Sequence, residues 1–239
     1  MKGKHYIGTS GWHYDHWRGL FYPKELPSDK MLEFYSRVFS TVEINNTFYK
    51  LVDKKVYQLW KDSTPDEFIF SVKASRLITH YQKLKNVSSS LKKFLSNTKY
   101  LGNKLGPYLF LLPSNFGLNY ARLESFLKQL PKGSSTIEFR DISWLEEDIY
   151  LLLKDYKCAF CIYEFGDIIS PHVITTDFVY VRLHGPSGPY SGRYSKKSLS
   201  EWASKILRWN QMNKDVFVYF DNDEKGYAPI NASELIEML

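Results

Sequence analysis

Short segments that alternate apolar residues with charged or amide residues constrain this chain more than any other feature. In Thr41-Val-Glu-Ile-Asn45, Val42 and Ile44 share one parity, and Glu43 and Asn45 the other. Ser135-Thr-Ile-Glu-Phe-Arg140 sets Ile137 and Phe139 against Glu138 and Arg140. Phe178-Val-Tyr-Val-Arg-Leu-His184 sets Val179, Val181 and Leu183 against Arg182 and His184. Side chains alternate across a strand, so each segment carries its polar groups on one face toward its C-terminal end. A dry core does not accept such a face, because buried charge is costly unless paired. The polar face is expected to line a wet or ligand-filled cavity.

Strands are expected at Tyr6–Thr9, Thr41–Ile44, Phe68–Val72, Tyr108–Leu112, Thr136–Phe139, Ala159–Tyr163, Phe178–Leu183 and Val216–Phe220. Helical patterns separate most of them. Met31–Phe39 follows Ser28 and Asp29, both good N-caps. Val56, Leu59 and Trp60 have helical stripe spacing, as do Leu123, Phe126, Leu127 and Leu130, and Leu199, Trp202, Ile206 and Trp209. Ser143 with Glu146 predicts a capping box opening a helix over Trp144–Tyr156. Alternating strands and helices predict a parallel sheet, and eight such units in 239 residues close most simply into a (β/α)8 TIM barrel. No linker or repeat divides the chain, so one α/β domain over residues 1–239 is expected. The unit after the sixth strand is the exception. Ile168–Thr176 is short and holds Pro171, which predicts an irregular connection.

No apolar stretch approaches the ~18 residues of a membrane span, and the N-terminus carries no signal-like hydrophobic region, so a cytoplasmic protein is expected. Cys158 and Cys161 fall in one strand-like run. Three residues apart, they point to opposite faces, so two buried core thiols are expected in place of a redox pair or half a zinc site. The net charge of +6 is uneven. Phe68–Leu123 contains seven Lys, two Arg and no carboxylate. That segment is either a solvated lysine-rich helix face around Lys83, Lys85, Lys92, Lys93 and Lys99 or a footprint for a polyanion such as nucleic acid.

In a barrel the outward parity packs under helices, and the inward parity reaches the C-terminal mouth, where active sites lie. Glu43, Asn45, Ser71, Lys73, Glu138, Arg140, Arg182, His184 and Asn222 fit that inward, upper position. Glu43 and Glu138 are candidate general acid–base groups, unless each is locked in an ion pair, for example Glu138 with Arg140 or Arg182. Lys73, Arg140 and Arg182 suit a phosphate or carboxylate ligand, and His184 suits proton transfer or anion contact. The loop His184-Gly-Pro-Ser-Gly-Pro-Tyr-Ser-Gly-Arg-Tyr194 is expected to act as a ligand lid, with Arg193 adding charge and its two tyrosines, Tyr190 and Tyr194, adding stacking faces. In the first loop Trp12, Tyr14 and Trp17 either stack on a base or sugar or plug the mouth. His13 and His16 complete no metal-ligand set, so no cofactor is expected, with a divalent metal at the strand ends as the lesser alternative.

These residues fall in motifs that resemble the YecE-like domain-of-unknown-function family. The motifs run nearly end to end: Ile7-Gly-Thr-Ser-Gly-Trp12, Trp17-Arg-Gly-Leu-Phe-Tyr-Pro23, Val42-Glu-Ile-Asn-Asn-Thr-Phe-Tyr49, Phe70-Ser-Val-Lys73 and Ile78-Thr-His80. They continue through Leu105-Gly-Pro107, Glu138-Phe-Arg140 with Ser143-Trp144, Val179-Tyr-Val-Arg-Leu-His-Gly185, Tyr219-Phe-Asp-Asn222 and Ala228-Pro-Ile-Asn-Ala232. The resemblance implies a TIM barrel and a site, and no particular reaction. Two departures stand out. The family usually has Gln-Leu-Pro-Pro where this chain has Leu111-Leu-Pro-Ser114, which removes an amide from the mouth. Where the family often has Asp at the end of the sixth strand, Tyr163-Glu-Phe-Gly-Asp167 offers Glu164 or Asp167 instead.

The expected function is therefore a hydrolase or lyase acting on a phosphate-bearing small molecule or nucleic acid, since no nicotinamide or flavin fingerprint occurs. The alternatives are a noncatalytic nucleic-acid-binding barrel and a carbohydrate-processing enzyme using Glu43 and Glu138.

Overall fold

The computed structural model describes residues 2–165 and 168–239. Its strands are β1 (His5–Thr9), β2 (Thr41–Ile44), β3 (Ile69–Lys73), β4 (Leu105–Leu112), β5 (Ser135–Phe139), β6 (Ala159–Phe165), β7 (Ile168–Ile169), β8 (Phe178–Leu183) and β9 (Asp215–Phe220). All except β7 run parallel, in the order β1-β9-β8-β6-β5-β4-β3-β2. Eight parallel strands thus form a nearly closed barrel, as the alternation predicts. The helices are α1 (Met31–Val38), α2 (Asn46–Tyr49), α3 (Lys54–Asp62), α4 (Ser88–Thr98), α5 (Tyr120–Leu127), α6 (Glu147–Asp155), α7 (Lys196–Gln211) and α8 (Tyr227–Ile236).

Strand parity divides the core in two. Val42, Ile44, Ile137, Phe139, Val179, Val181 and Leu183 face outward and pack under the helices with Leu123, Phe126, Trp202 and Ile206. Leu109, Cys161, Tyr163, Phe178, Tyr180, Phe217 and Tyr219 fill the barrel interior. Cys158 belongs to the outer cluster and Cys161 to the inner, so the two thiols face away from each other as the spacing requires.

The closing seam lies between β1 and β2, which share one parallel bridge, Ser10 with Glu43, and a bond from Gly11 N–H to Glu43 O of 2.8 Å. Tyr35 of α1 fills the gap below. Its hydroxyl accepts from Thr9 N–H at 2.9 Å and donates to Thr41 O at 3.1 Å, giving two strand-edge groups a partner. Gly8 is required here, because a Cβ on it would lie 2.3 Å from Thr41 O.

Among the described residues between β6 and β8 no helix forms. β7 folds back antiparallel on the end of β6, and Ser170 and Thr175 then accept the Tyr163 and Phe160 N–H groups at 2.8 and 2.7 Å.

Three local expectations are corrected. Ser28 and Asp29 do not cap α1; they sit in a 3-10 turn, Ser28–Lys30, that runs directly into it. Leu59 is exposed; α3 buries Trp60 of the expected stripe, with Tyr57 in place of Leu59. Ser143 opens no capping box. Asp141 accepts its N–H at 3.0 Å, closing a separate turn at Ile142–Trp144, and α6 begins only at Glu147.

Candidate functional site

Inward parity carries Glu43, Lys73, Glu138, Arg140, Arg182 and His184 to one level at the C-terminal mouth, as expected. Arg182 is the hub. It donates from Nε and Nη2 to the two Glu43 oxygens at 3.0 and 2.8 Å, and from Nη2 to Asp221 Oδ2 and Ser10 Oγ at 3.0 and 3.1 Å. Its Nη1 donates to Glu138 Oε2 at 2.9 Å. Glu43 also accepts from Tyr180 OH at 2.7 Å and from Ser10 Oγ. Glu43, Glu138, Arg182 and His184 have no solvent-exposed surface.

Arg140 Nη2 lies 2.5 Å from Glu138 Oε1 and donates to His184 Nε2 at 2.8 Å; Arg182 Nη1 approaches the same nitrogen at 3.2 Å. Two guanidinium donors aimed at Nε2 assign the ring proton to Nδ1, which lies 3.0 Å from Asp221 Oδ2. Burial pushes the Glu138 carboxyl upward, but Arg140 and then Arg182 hold it well below the usual range. Asp221 is likewise pushed up by burial and pulled lower overall by Arg182 and His184. Three carboxylates, Glu43, Glu138 and Asp221, thus stand against the two guanidiniums of Arg140 and Arg182.

Not every donor is engaged. Arg140 Nε and Nη1 are buried without a partner among the described residues, and the guanidinium carbon lies 3.7 Å from the Phe165 ring centroid. Lys73 Nζ lies 4.7 Å from the Phe48 ring centroid and has no carboxylate or hydrogen-bond acceptor in reach among the described residues. Burial, then Arg182, push its pKa down.

Above this layer opens a pocket of about 620 Å³, lined by His80, Tyr81, Leu111, Pro113, Ser114, Asn115, Arg140, Phe165, Ile168 and Tyr190. Two unusual backbone segments shape its walls. Leu77–Tyr81 forms a π-helical turn, a form concentrated at functional sites, and Lys83, Leu84 and Asn86 just beyond it have positive φ. Tyr190, in the loop after β8, also has positive φ (63°) and packs edge-on to His184 and Phe165. His80 Nδ1 bonds Thr79 Oγ1 at 2.9 Å, and burial followed by Lys73, Arg76 and Lys83 lowers its pKa.

Other sequence candidates lie elsewhere. Asn45 donates to Ser10 Oγ at 2.7 Å and, with Trp12, His13, Tyr14 and Tyr49, lines a second pocket of about 200 Å³. Trp12 is buried edge-on against Trp60, and Trp17 is fully buried with its indole on Asp223, so these two rings plug the first loop. Asn222 points outward and donates to Gly192 O and Asn231 Oδ1 at 2.8 and 2.9 Å; the inward residue is Asp221. Tyr194 is buried, its hydroxyl accepting from Gly185 N–H at 3.1 Å, so it shapes the loop and offers no stacking face; Tyr190 offers one instead. Arg193 pairs with Glu234, away from the mouth. Glu164 has the outward parity of β6, and Asp167 lies outside the described residues.

Sequence reasoning missed Ser10, Tyr180, Asp221 and His80. Continuing the alternation Phe217, Tyr219, Asp221 one step past β9 finds Asp221. A π-helical turn carries no sequence period, so nothing local marked His80.

The basic segment splits. Lys92 and Lys93 lie on exposed α4, and buried Lys104 donates to Lys61 O and Thr64 O at 2.6 and 2.7 Å. Arg76, Lys83 and Arg122 stay near the mouth, against aromatic rings. Arg76 lies 5.5 Å from both the Tyr49 and Tyr81 ring centroids, and Lys83 and Arg122 lie 6.0 and 5.5 Å from that of Phe116. Among the described residues no group of three or more His, Cys, Asp or Glu is placed to hold a metal ion, and no helix is long and apolar enough to cross a membrane.

Comparison with known proteins places this geometry in a wider set. Residues 6–239 match the family model described as "Protein of unknown function DUF72". The UPF0759 protein YunF of Bacillus subtilis is 31% identical over 98% of this chain and 94% of its own length. The UPF0759 protein YecE of Escherichia coli K12 is 32% identical over 53% of this chain and 44% of its own length. Among solved structures, a DUF72 family protein of Thermotoga maritima superposes with a TM-score of 0.88 at 27% identity, covering 98% of each chain. One from Enterococcus faecalis gives a TM-score of 0.83 at 20% identity over 98% of this chain and 95% of its own.

Proposed function

This chain belongs to the DUF72 family, whose function is unknown, and from that premise we propose that it acts on a phosphate-bearing substrate with flat rings, single-stranded nucleic acid or a nucleotide, at the barrel mouth. The observation that carries this reading is the lining of the larger pocket. Among the described residues it has aromatic faces, one guanidinium with two unengaged donors and no carboxylate. Arg76 between exposed Tyr49 and Tyr81 extends the same pattern outward. Stacking on aromatic faces with cations beside them suits bases and phosphates without sequence preference. Arg140 and Arg76, in place of Arg182, would meet the anion, because Arg182 already serves Glu43, Glu138, Asp221 and Ser10. The reaction class is hydrolase or lyase, with His80 as the mouth's proton-transfer group.

The test is anisotropy of a labelled single-stranded oligonucleotide across a salt series. Binding whose log affinity falls linearly with log salt, and which Arg140→Gln and Tyr81→Ala each weaken, is expected. Absent or salt-independent binding overturns the reading.

A second reading, a noncatalytic nucleic-acid-binding barrel, has one observation in its favour: Glu43, Glu138 and His184 are all held inside the charge layer. Binding without product under any metal or pH condition would favour it. The same arrangement counts against carbohydrate processing. Both glutamates sit on one guanidinium without solvent contact, so neither is a general acid for a leaving group.

A further inference from the structure

We propose that the Lys73 amine is a carbonyl-reactive nucleophile, which takes a phosphate-bearing aldehyde or ketone, such as an open-chain sugar phosphate, as a covalent imine. The choice of a phosphate-bearing class rests on the reading of the mouth given above; the reactivity of the amine does not.

The buried cations of this protein show what Lys73 lacks. Lys104 hands its protons to two backbone carbonyls. Arg182 holds three carboxylates, and Arg140 holds Glu138. Lys73 ends β3 on the inward parity, is 8% exposed, and has no ion-pair partner among the described residues; the face of Phe48 lies beside its nitrogen. The nearby acids are engaged already: Glu43 and Asp221 with Arg182, Glu138 with both arginines. A buried, unpaired ammonium is costly, so the neutral amine is favoured. Burial and then Arg182 act in that direction, and Glu43, Asp221 and Glu138 oppose them without prevailing. A neutral lysine amine at the C-terminal end of a barrel strand is a nucleophile where a protonated one is not. The amine is also close to the mouth. Phe48 packs edge-on to His80 at 5.0 Å, and His80 lines the larger pocket.

The step balances without an oxidant or reductant. The Nζ lone pair forms a bond to the carbonyl carbon while the C=O π pair moves to oxygen. One N–H proton passes to that oxygen, giving a carbinolamine. The hydroxyl leaves with the second N–H proton as water, and the imine remains.

The test incubates the full chain with glyceraldehyde 3-phosphate or glyceraldehyde at neutral pH, adds sodium cyanoborohydride and locates adducts by peptide mass spectrometry. Modification of Lys73 should exceed that of exposed Lys92 about tenfold or more, as expected for a depressed amine pKa. Inorganic phosphate should slow only the phosphorylated probe. No enrichment at Lys73 with either probe overturns the proposal. Equal enrichment with both keeps the nucleophile and overturns the phosphate-bearing class. Lys73→Met serves as the second measurement. Replacing an unpaired buried amine by an apolar side chain should leave the melting temperature unchanged or higher, whereas a drop of several degrees would make Lys73 a structural cation and sink the proposal.

Discussion

Arg182 and Glu43 meet side-on, Nε and Nη2 against the two carboxylate oxygens at 3.0 and 2.8 Å, with no solvent surface on either residue. Bidentate pairing of this kind is the strong form of the interaction. Arg182→Met is expected to lower unfolding free energy by about 3–5 kcal/mol, because Glu43, Glu138 and Asp221 would remain buried without their shared partner. Arg182→Lys should rescue little, since an ammonium cannot fork onto three acids. Urea denaturation of the three proteins checks both statements.

Stability should fall in acid for a definable reason. Glu138 and Asp221 have folded pKa values below their ordinary 4.5 and 3.8. A depressed carboxyl contributes stability that is fully present above the unfolded value and is lost as pH falls through the folded one. Unfolding free energy should therefore be flat with respect to these groups above about pH 5 and decline below it. In Glu138→Gln the decline should be shallower. A wild-type curve with no slope below pH 4.5 would contradict the ion pairing.

The two tyrosines of the loop after β8 should separate cleanly. Tyr194→Phe removes the acceptor of the Gly185 N–H and is expected to cost about 1 kcal/mol. Tyr190→Ala should change stability by less than about 0.5 kcal/mol, because that ring is largely outside the core. The reverse ordering should hold for oligonucleotide affinity, where Tyr190→Ala has the larger effect. Thermal melts and anisotropy on the same samples measure both.

Cys158 and Cys161 should not react with iodoacetamide in the native protein, since both are buried and burial raises both thiol pKa values. Denaturant should release two alkylatable thiols together. Native-state alkylation at either would show that the barrel wall opens locally.

The barrel was legible because strand parity is a local property that survives folding. Val42, Ile137 and Val181 mark the outer face, and Glu43, Glu138 and Arg182 the inner, in segments of a few residues each. What the inner residues do to one another was legible in part: an ion pair of Glu138 with Arg140 or Arg182 is an alternative that the alternation itself offers, and both pairs form. Nothing near Glu43 in sequence indicates that its partner is Arg182, 139 positions away. The contacts that bring Glu43 and Asp221 onto one guanidinium appear only when the strands close. Asp221 was missed where a regular strand gave way to a loop and parity became harder to follow. His80 was missed because π-helical backbone places side chains by tertiary constraint, outside any period of 2 or 3.6 residues.

The hub also ties the two ends of the chain to a common fate. Ser10, Glu43 and Lys73 come from the first four strands, while Glu138, Arg140, Arg182, His184 and Asp221 come from the remainder. A fragment ending after β4 would keep an acid whose only guanidinium is on the other piece, and the complementary fragment would keep a guanidinium short of an acid. Each half-barrel on its own is electrostatically incomplete, so severed halves of this chain have reason to find each other and little reason to persist apart.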